Sequence, residues 1–210
     1  MIVNPNRHDV AELIARRDPA FRPLVQLVGP PPLPRPAPVR DRFPSLVRSI
    51  SFQLLATAAA TTIHRRVVEA CDGEPTVPAL LAMDVARLRA AGLSRVKAEA
   101  MIDLAKHVDD GRIRLERHGH MSDHDVIHEV TAVRGIGPWT AQMYLMFTLG
   151  RRDVWPATDF GVRNGWSQLH GLDEMIDERA LRDAGAQFEG YRSAVAHYCW
   201  RVVDGPVTDR

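Results

Sequence analysis

The chain has 210 residues, 45% of them hydrophobic and 25% charged, and a formal net charge of +1 at pH 7. That size and balance suit one large or two small domains with a buried core, and they exclude disorder over the whole chain. They also exclude nucleic-acid binding by bulk positive charge, so any grip on a phosphate backbone has to come from a local arrangement of donors.

In chain order the reading is almost entirely helical, which places the protein in the all-α class. HDVAELIARRD and DPAFRPLVQLVG form two short N-terminal helices. GPPPLPRPAP, residues 29–38, lacks most of its amide donors and reads as an extended linker. Residues 45–70 are apolar on most faces and predict one long, largely buried helix. VPALLAMD and DVARLRAAG follow, the second closing at Gly92, and Ser94 caps a helix that runs to about Gly111. GRIRLERHG reads as a short extended piece. Ser122 and Asp125 have capping-box spacing for the helix DHDVIHEVTAV. FGVRNGWSQLH, DERALRDAGAQF and YRSAVAHYCWRVVD complete the chain as helices.

Two stretches carry chemistry. In AVRGIGPWTAQMYLMF, residues 132–147, a helix ends near Val133 and Pro138 suits the first residue of the next. Gly135 and Gly137 between them allow positive φ or close backbone approach. A tight helix–turn–helix of this kind leaves amide donors at a helix N-terminus, where an anion is stabilised, and Thr140 adds a hydroxyl in that first turn. The plain reading is an ordinary helical hairpin. The functional one is a hairpin that holds a DNA phosphate with amides and a helix dipole in place of lysines. In DVWPATDFGVRNGW, residues 153–166, Asp159 stands at the start of a helix. It can be a simple N-cap, but the same dipole stabilises a carboxylate suited to a developing positive charge.

These stretches, in this order and spacing, resemble the helix-hairpin-helix DNA glycosylase superfamily, and within it the bacterial 3-methyladenine DNA glycosylase II family. FQLLATAAATTI, GLSRVKAEAMIDLA and YRSAVAHYCW resemble further family segments, and the likeness spans about residues 43–203. It implies a compact form without the N-terminal β domain. It also implies two helical lobes with DNA across the cleft: residues 1–42 packed with 159–210, and a middle lobe, 43–158, carrying the hairpin at 131–149. The implied reaction is monofunctional: an alkylated base is flipped from duplex DNA and its N-glycosidic bond hydrolysed. Asp159, four residues before the basic Arg163, takes the catalytic role, steadying positive charge on the sugar and orienting or deprotonating water. Trp139 and Trp200 match aromatic pocket positions suited to a cationic base, with Gln53 and Met143 beside them. Gly135, Gly137 and Thr140 face the phosphate, Arg163 contacts DNA, and Arg95 falls at the position that inserts into the minor groove. The main-chain carbonyls of Thr131, Val133 and Ile136 match a monovalent cation site for Na+ or K+.

Some positions depart from the family pattern. Leu54 replaces a second glutamine, Met143 a pocket tyrosine and Gly190 a proline before Tyr191. Trp139 stands where the glycosylase/lyases carry a lysine nucleophile, so no Schiff base is expected. Cys71 and Cys199 suit a reducing compartment, and one C-terminal cysteine rules out the four-cysteine iron–sulfur members. No cofactor is needed for the implied catalysis. His118, His120, His124 and His128 lie close together, with the last two on one helical face, but no cysteine supports a zinc site. No apolar run reaches about 18 residues and MIVNPNRHDV is not a signal peptide. The expectation is a monomer in the cytoplasm, associated with the nucleoid and not with a membrane. The competing readings are a non-catalytic DNA-damage-binding module, and a glycosylase for oxidised or deaminated bases on the same fold.

Overall fold

The computed structural model describes residues 6–55 and 57–205. Among them twelve α-helices and three short 3-10 turns are present and no strand. None of these helices is long and apolar enough to cross a membrane. The chain divides into two compact units, residues 1–34 with 150–210, and residues 35–149.

The first unit holds α1 (Arg7–Arg17), α2 (Arg22–Val28), α10 (Phe160–Leu169), α11 (Glu178–Gly185) and α12 (Arg192–Asp204). α1 starts at a full capping box, in which Asn6 accepts from His8 and Asp9 amides and Asp9 accepts from Asn6. Its core is aromatic: Phe21 is fully buried and meets Trp166 and Phe188 edge-on, each at 5.8 Å. His170 stacks on Trp166 at 4.2 Å and is tied through Nε2 to the Asp18 carboxylate at 2.8 Å, which pins the N-terminal segment to the end of α10. Residues 30 and 31 offer carbonyls but no amide hydrogens, so the donors come from outside the segment. Arg7 donates to Pro30 and Pro31, and Tyr198 to Gly29.

The second unit holds α3 (Val39–Phe52), α4 (Thr57–Ala70), α5 (Val77–Leu81), α6 (Val85–Ala90), α7 (Arg95–Asp109), α8 (Asp123–Thr131) and α9 (Pro138–Phe147). Leu46, Val47, Ile50, Leu104, Val130 and Leu145 are buried in it. His118 is also fully buried, its two ring nitrogens facing the Tyr144 hydroxyl at 3.1 Å and the Glu129 carboxylate at 3.0 Å. Burial lowers its pKa from the usual histidine value. This histidine is therefore a packed core residue, apart from the exposed His120, His124 and His128. No group of three or more metal-ligating side chains forms among the described residues.

Three expectations change. The single helix over 45–70 is two helices, α3 and α4, because the chain turns at Gln53 and Leu54, and Leu54 takes φ 53°. The piece 111–119 is not extended but holds a 3-10 turn, Leu115–Arg117. The boundaries of the units fall at 34/35 and 149/150 rather than 42/43 and 158/159. The reason is local bonding. The buried Arg42 donates to the Leu115 carbonyl within the second unit. Ser193 donates to the Arg151 carbonyl and accepts from the Val154 amide, and Arg192 grips Asp153, within the first.

α10 and α12 cross where Gly165 faces the backbone of Cys199; a Cβ there would stand 1.9 Å from the Cys199 carbonyl oxygen. Backbone cannot yield as a side-chain tip does. Gly165→Ala should therefore lower unfolding stability by about 3 kcal/mol, the upper end for overpacking, read from the urea midpoint. An unchanged midpoint would mean that the two helices separate at no cost.

Candidate functional site: a braced hairpin and a capping carboxylate

The hairpin joins α8 to α9 through residues 132–137. Most helices of the chain begin at a side-chain cap, such as Ser94, Ser122, Asp159 or Asp177. α9 begins at Gly137 with no side-chain cap, and Pro138 at its first position has no amide hydrogen to satisfy. A helix start without a side-chain acceptor presents its positive dipole end outward, the arrangement that holds an anion.

Three contacts fix the turn. Gly135 has φ 87°, and a Cβ on it would lie 3.0 Å from that of Ala100, so the turn lies directly on α7. Asp103 of α7 accepts from the Arg134 amide at 2.9 Å. Gln53, the residue that ends α3, donates through Nε2 to the Gly135 carbonyl at 3.1 Å and to Thr140 Oγ1 at 3.0 Å. Lys97 of α7 in turn donates to the Ser51 and Gln53 carbonyls at 3.0 and 2.5 Å, capping the end of α3. Burial lowers its pKa from the usual lysine value.

Asp159 is the N-cap of α10 and half-buried. Its Oδ1 accepts from the Val162 amide at 2.7 Å and from Trp200 Nε1 at 2.8 Å. A carboxyl group that accepts from two N–H groups at a helix N-terminus is held in a fixed direction. Gly161 makes room for this, since a Cβ there would meet Trp200 Cδ1 at 2.8 Å and Asp159 Oδ1 at 3.2 Å.

The sequence-predicted residues fall into separate groups. Asp159 and Trp200 are bonded to each other in the first unit. Arg163 lies there too, but its Nε donates to the Ile176 carbonyl at 2.8 Å, so it braces the loop after α10, a role the DNA-contact expectation did not include. Gln53, Gly135, Gly137 and Thr140 come together in the second unit. Gln53 therefore supports the hairpin, where a base-pocket position was expected. Thr140 is a correction: it is 3% exposed and its hydroxyl oxygen accepts from Gln53, so it faces inward and not toward a phosphate. Met143 is buried in α9, whereas Trp139 on the same helix is 41% exposed. Arg95 is the first residue of α7 and pairs with Glu99 at 2.7 Å. Val133 accepts from the Ile136 amide at 3.1 Å, which turns the main chain between two of the three predicted carbonyl donors.

Sequence reasoning missed Gly161, Lys97 and Asp103. A glycine two residues after a capping aspartate is the trace that Gly161 leaves in the sequence. Lys97 and Asp103 read as ordinary helix residues until the fold brings α3 and the hairpin against them.

A helical hairpin with an uncapped Gly-Pro start, followed by a helix capped by an oriented aspartate, defines a base-excision repair fold. The model of the HhH-GPD superfamily base excision DNA repair proteins matches residues 47–188, and the chain belongs to that family. It is 30% identical over 188 residues to DNA-3-methyladenine glycosylase 1 of Schizosaccharomyces pombe, covering 88% of this chain and 82% of that protein. The solved structure of the S. pombe 3-methyladenine DNA glycosylase Mag1, in complex with abasic DNA, superposes with a TM-score of 0.86 at 28% identity, over 96% of this chain and 99% of that one. The crystal structure of a DNA-3-methyladenine glycosidase from Bacillus halodurans gives 0.78 at 31% identity, over 91% and 88%.

The two hairpin glycines should respond differently to substitution. Gly135→Ala forces a Cβ into the left-handed region and onto Ala100, and should cost about 1–2 kcal/mol of stability or more. Gly137 has φ −93° and open space at its Cβ, so Gly137→Ala should stay within about 0.5 kcal/mol of the parent. Thermal or urea unfolding of both variants checks the contrast; equal effects would contradict the described turn.

Proposed function

We propose that the chain is a monofunctional DNA glycosylase that hydrolyses the N-glycosidic bond of alkylated bases, 3-methyladenine-type lesions above all, in double-stranded DNA. The observation that carries the reading is Asp159, whose Oδ1 is held by the Val162 amide and the Trp200 indole at the mouth of α10. The named relatives act on 3-methyladenine, and the S. pombe structure holds abasic DNA, the product side of such a reaction.

In this proposal the hairpin binds a backbone phosphate through the start of α9, which explains how a chain of net charge +1 engages a polyanion. Departure of the base leaves positive charge on the deoxyribose. The Asp159 carboxylate stabilises that charge, orients the water whose oxygen forms the new bond to the sugar and accepts the proton that this water loses. The leaving base departs with the electron pair of the broken bond, and a base already cationic from alkylation needs no prior protonation. Exposed Trp139 suits the π-face of such a base. Strand cleavage through a Schiff base is not part of the proposal. The chain has two lysines, Lys97 and Lys106, both on α7, and Lys97 serves the end of α3. An alkali cation at the carbonyls of Thr131, Val133 and Ile136 belongs to it. Neutral main-chain oxygens suit a hard monovalent ion, and Val133 and Ile136 share one turn, in which the Ile136 amide donates to the Val133 carbonyl. The bound ion would add positive charge near the phosphate.

Asp159→Asn keeps shape and both accepted hydrogen bonds at the carbonyl oxygen but removes the charge. It should lower excision at least about 100-fold, or about 3 kcal/mol, with binding of lesion DNA nearly unchanged. Gel-shift and base-release assays on the same protein separate the two effects, and full activity in the variant would overturn the assignment.

Two side chains of the second unit compete for the plug that fills the stack after flipping. Arg95 occupies the position expected from the sequence, but its guanidinium is engaged by Glu99. Leu54 stands fully exposed with φ 53°, an uncommon backbone for a leucine, at the break between α3 and α4. Apolar wedges of this kind enter base steps, so the geometry favours Leu54. Leu54→Ala should slow excision from duplex about tenfold more than from single-stranded DNA. Arg95→Ala should weaken all duplex binding and reduce the salt slope by about one. The opposite pattern returns the plug to Arg95.

A further inference from the structure

The turn between α3 and α4 keeps a leucine in the left-handed region with no packing of its own side chain, since Leu54 is 102% exposed. Such a conformation costs about 1–2 kcal/mol for an L-residue and persists only where surrounding contacts impose it. The contacts here come from the residue before it. The Gln53 carbonyl accepts from Lys97 Nζ, and the Gln53 side chain donates to the Gly135 carbonyl and Thr140 Oγ1. Lys97 also takes the Ser51 carbonyl, one of those left without an intrahelical partner where α3 ends. A continuous path of hydrogen bonds therefore runs from α7 through Lys97 and Gln53 to the hairpin, and Leu54 is the next residue along.

We propose that Lys97 is a positioning residue for base flipping: it locks the end of α3 so that Leu54 is presented rigidly beside the hairpin that grips the backbone. The proposal rests on the reading of Leu54 as the wedge. Lys97 touches neither base nor sugar in this scheme and acts only through the turn. Its ammonium suits the place, because a compact cation satisfies two converging carbonyls at a helix C-terminus, where the dipole favours positive charge. The path also makes phosphate binding and wedging one mechanical event. A hairpin seated on DNA fixes Gly135 and Thr140, these fix Gln53, and Gln53 fixes the direction of Leu54. Without Lys97 the turn relaxes toward ordinary φ, and the leucine no longer meets the duplex at a set angle.

The test is excision from duplex and from single-stranded alkylated DNA by Lys97→Met, Lys97→Arg, Leu54→Ala and the double variant Lys97→Met/Leu54→Ala. Lys97→Met should lose about tenfold or more on duplex and less than about twofold on single strands, and should add less than about twofold in the Leu54→Ala background, because both changes remove the same step. Lys97→Arg, which reaches both carbonyls with its fork, should recover most of the duplex rate. Equal losses on both substrates, or a full extra loss in the double variant, would overturn the role of Lys97 and leave the wedge standing. Unchanged duplex excision by Leu54→Ala would remove the wedge and this proposal with it. If Lys97→Met melts early, the arginine variant decides alone: a duplex rate as low as that of Leu54→Ala, in a folded protein, overturns the proposal.

Discussion

A Cβ at Gly165 would stand 1.9 Å from the Cys199 carbonyl oxygen, so α10 and α12 cross only where one of them has no side chain. That crossing sets the register between the two helices, and the register puts Trp200 level with Asp159, whose Oδ1 accepts from the indole at 2.8 Å. Gly161 repeats the device one turn earlier, leaving the gap that the indole edge enters. The direction of the carboxylate therefore depends on two missing side chains. The indole N–H and the Val162 amide supply the donors, but the packing decides where they point. This is preorganisation in a concrete sense: the dipoles that orient the anion are fixed before any substrate arrives.

In the second unit the same economy holds for the proposed phosphate site. The chain is nearly neutral, and its hairpin carries no lysine between Thr131 and Phe147. In the proposed function the positive end of α9, uncapped at Gly137, takes that role. A helix terminus is useful as an anion site only if it is rigid, and here the turn is braced on two sides, by Asp103 and Ala100 of α7 and by Gln53 at the end of α3. The bracing explains why Thr140, a hydroxyl in the first turn, is turned inward: it accepts from Gln53 instead of reaching toward the ligand.

What the sequence made legible was what rests on local chemistry. Pro138 after Gly137 marks a helix start, and Ser94, Ser122 and Asp159 act as caps because a short oxygen-bearing side chain before a helical run satisfies the first amides. Those residues defined the hairpin, the carboxylate and the all-helical class. What stayed hidden depends on tertiary pairing. Nothing in FQLLAT breaks a helix by propensity; the break at Leu54 is imposed by Lys97 and by the hairpin, 43 and more residues downstream. Arg163 looks like a basic residue poised for DNA, and only the fold brings the Ile176 carbonyl to its Nε. Gln53 reads as a pocket residue from its family segment, yet its amide holds the hairpin. The four histidines from 118 to 128 read as a cluster by spacing, and the burial of His118 against Tyr144 and Glu129 separates it from the rest.

The central claim is that a fixed carboxylate and a braced hairpin make a hydrolase of N-glycosyl bonds, not a protein that only recognises damage. The most direct measurement is incubation of the purified wild-type protein with methylated duplex DNA, followed by chromatography of the released bases and gel analysis of the strands. The account predicts free 3-methyladenine in the supernatant and abasic strands that stay intact until alkali or heat is added. Tight binding of the methylated duplex with no base released would contradict it.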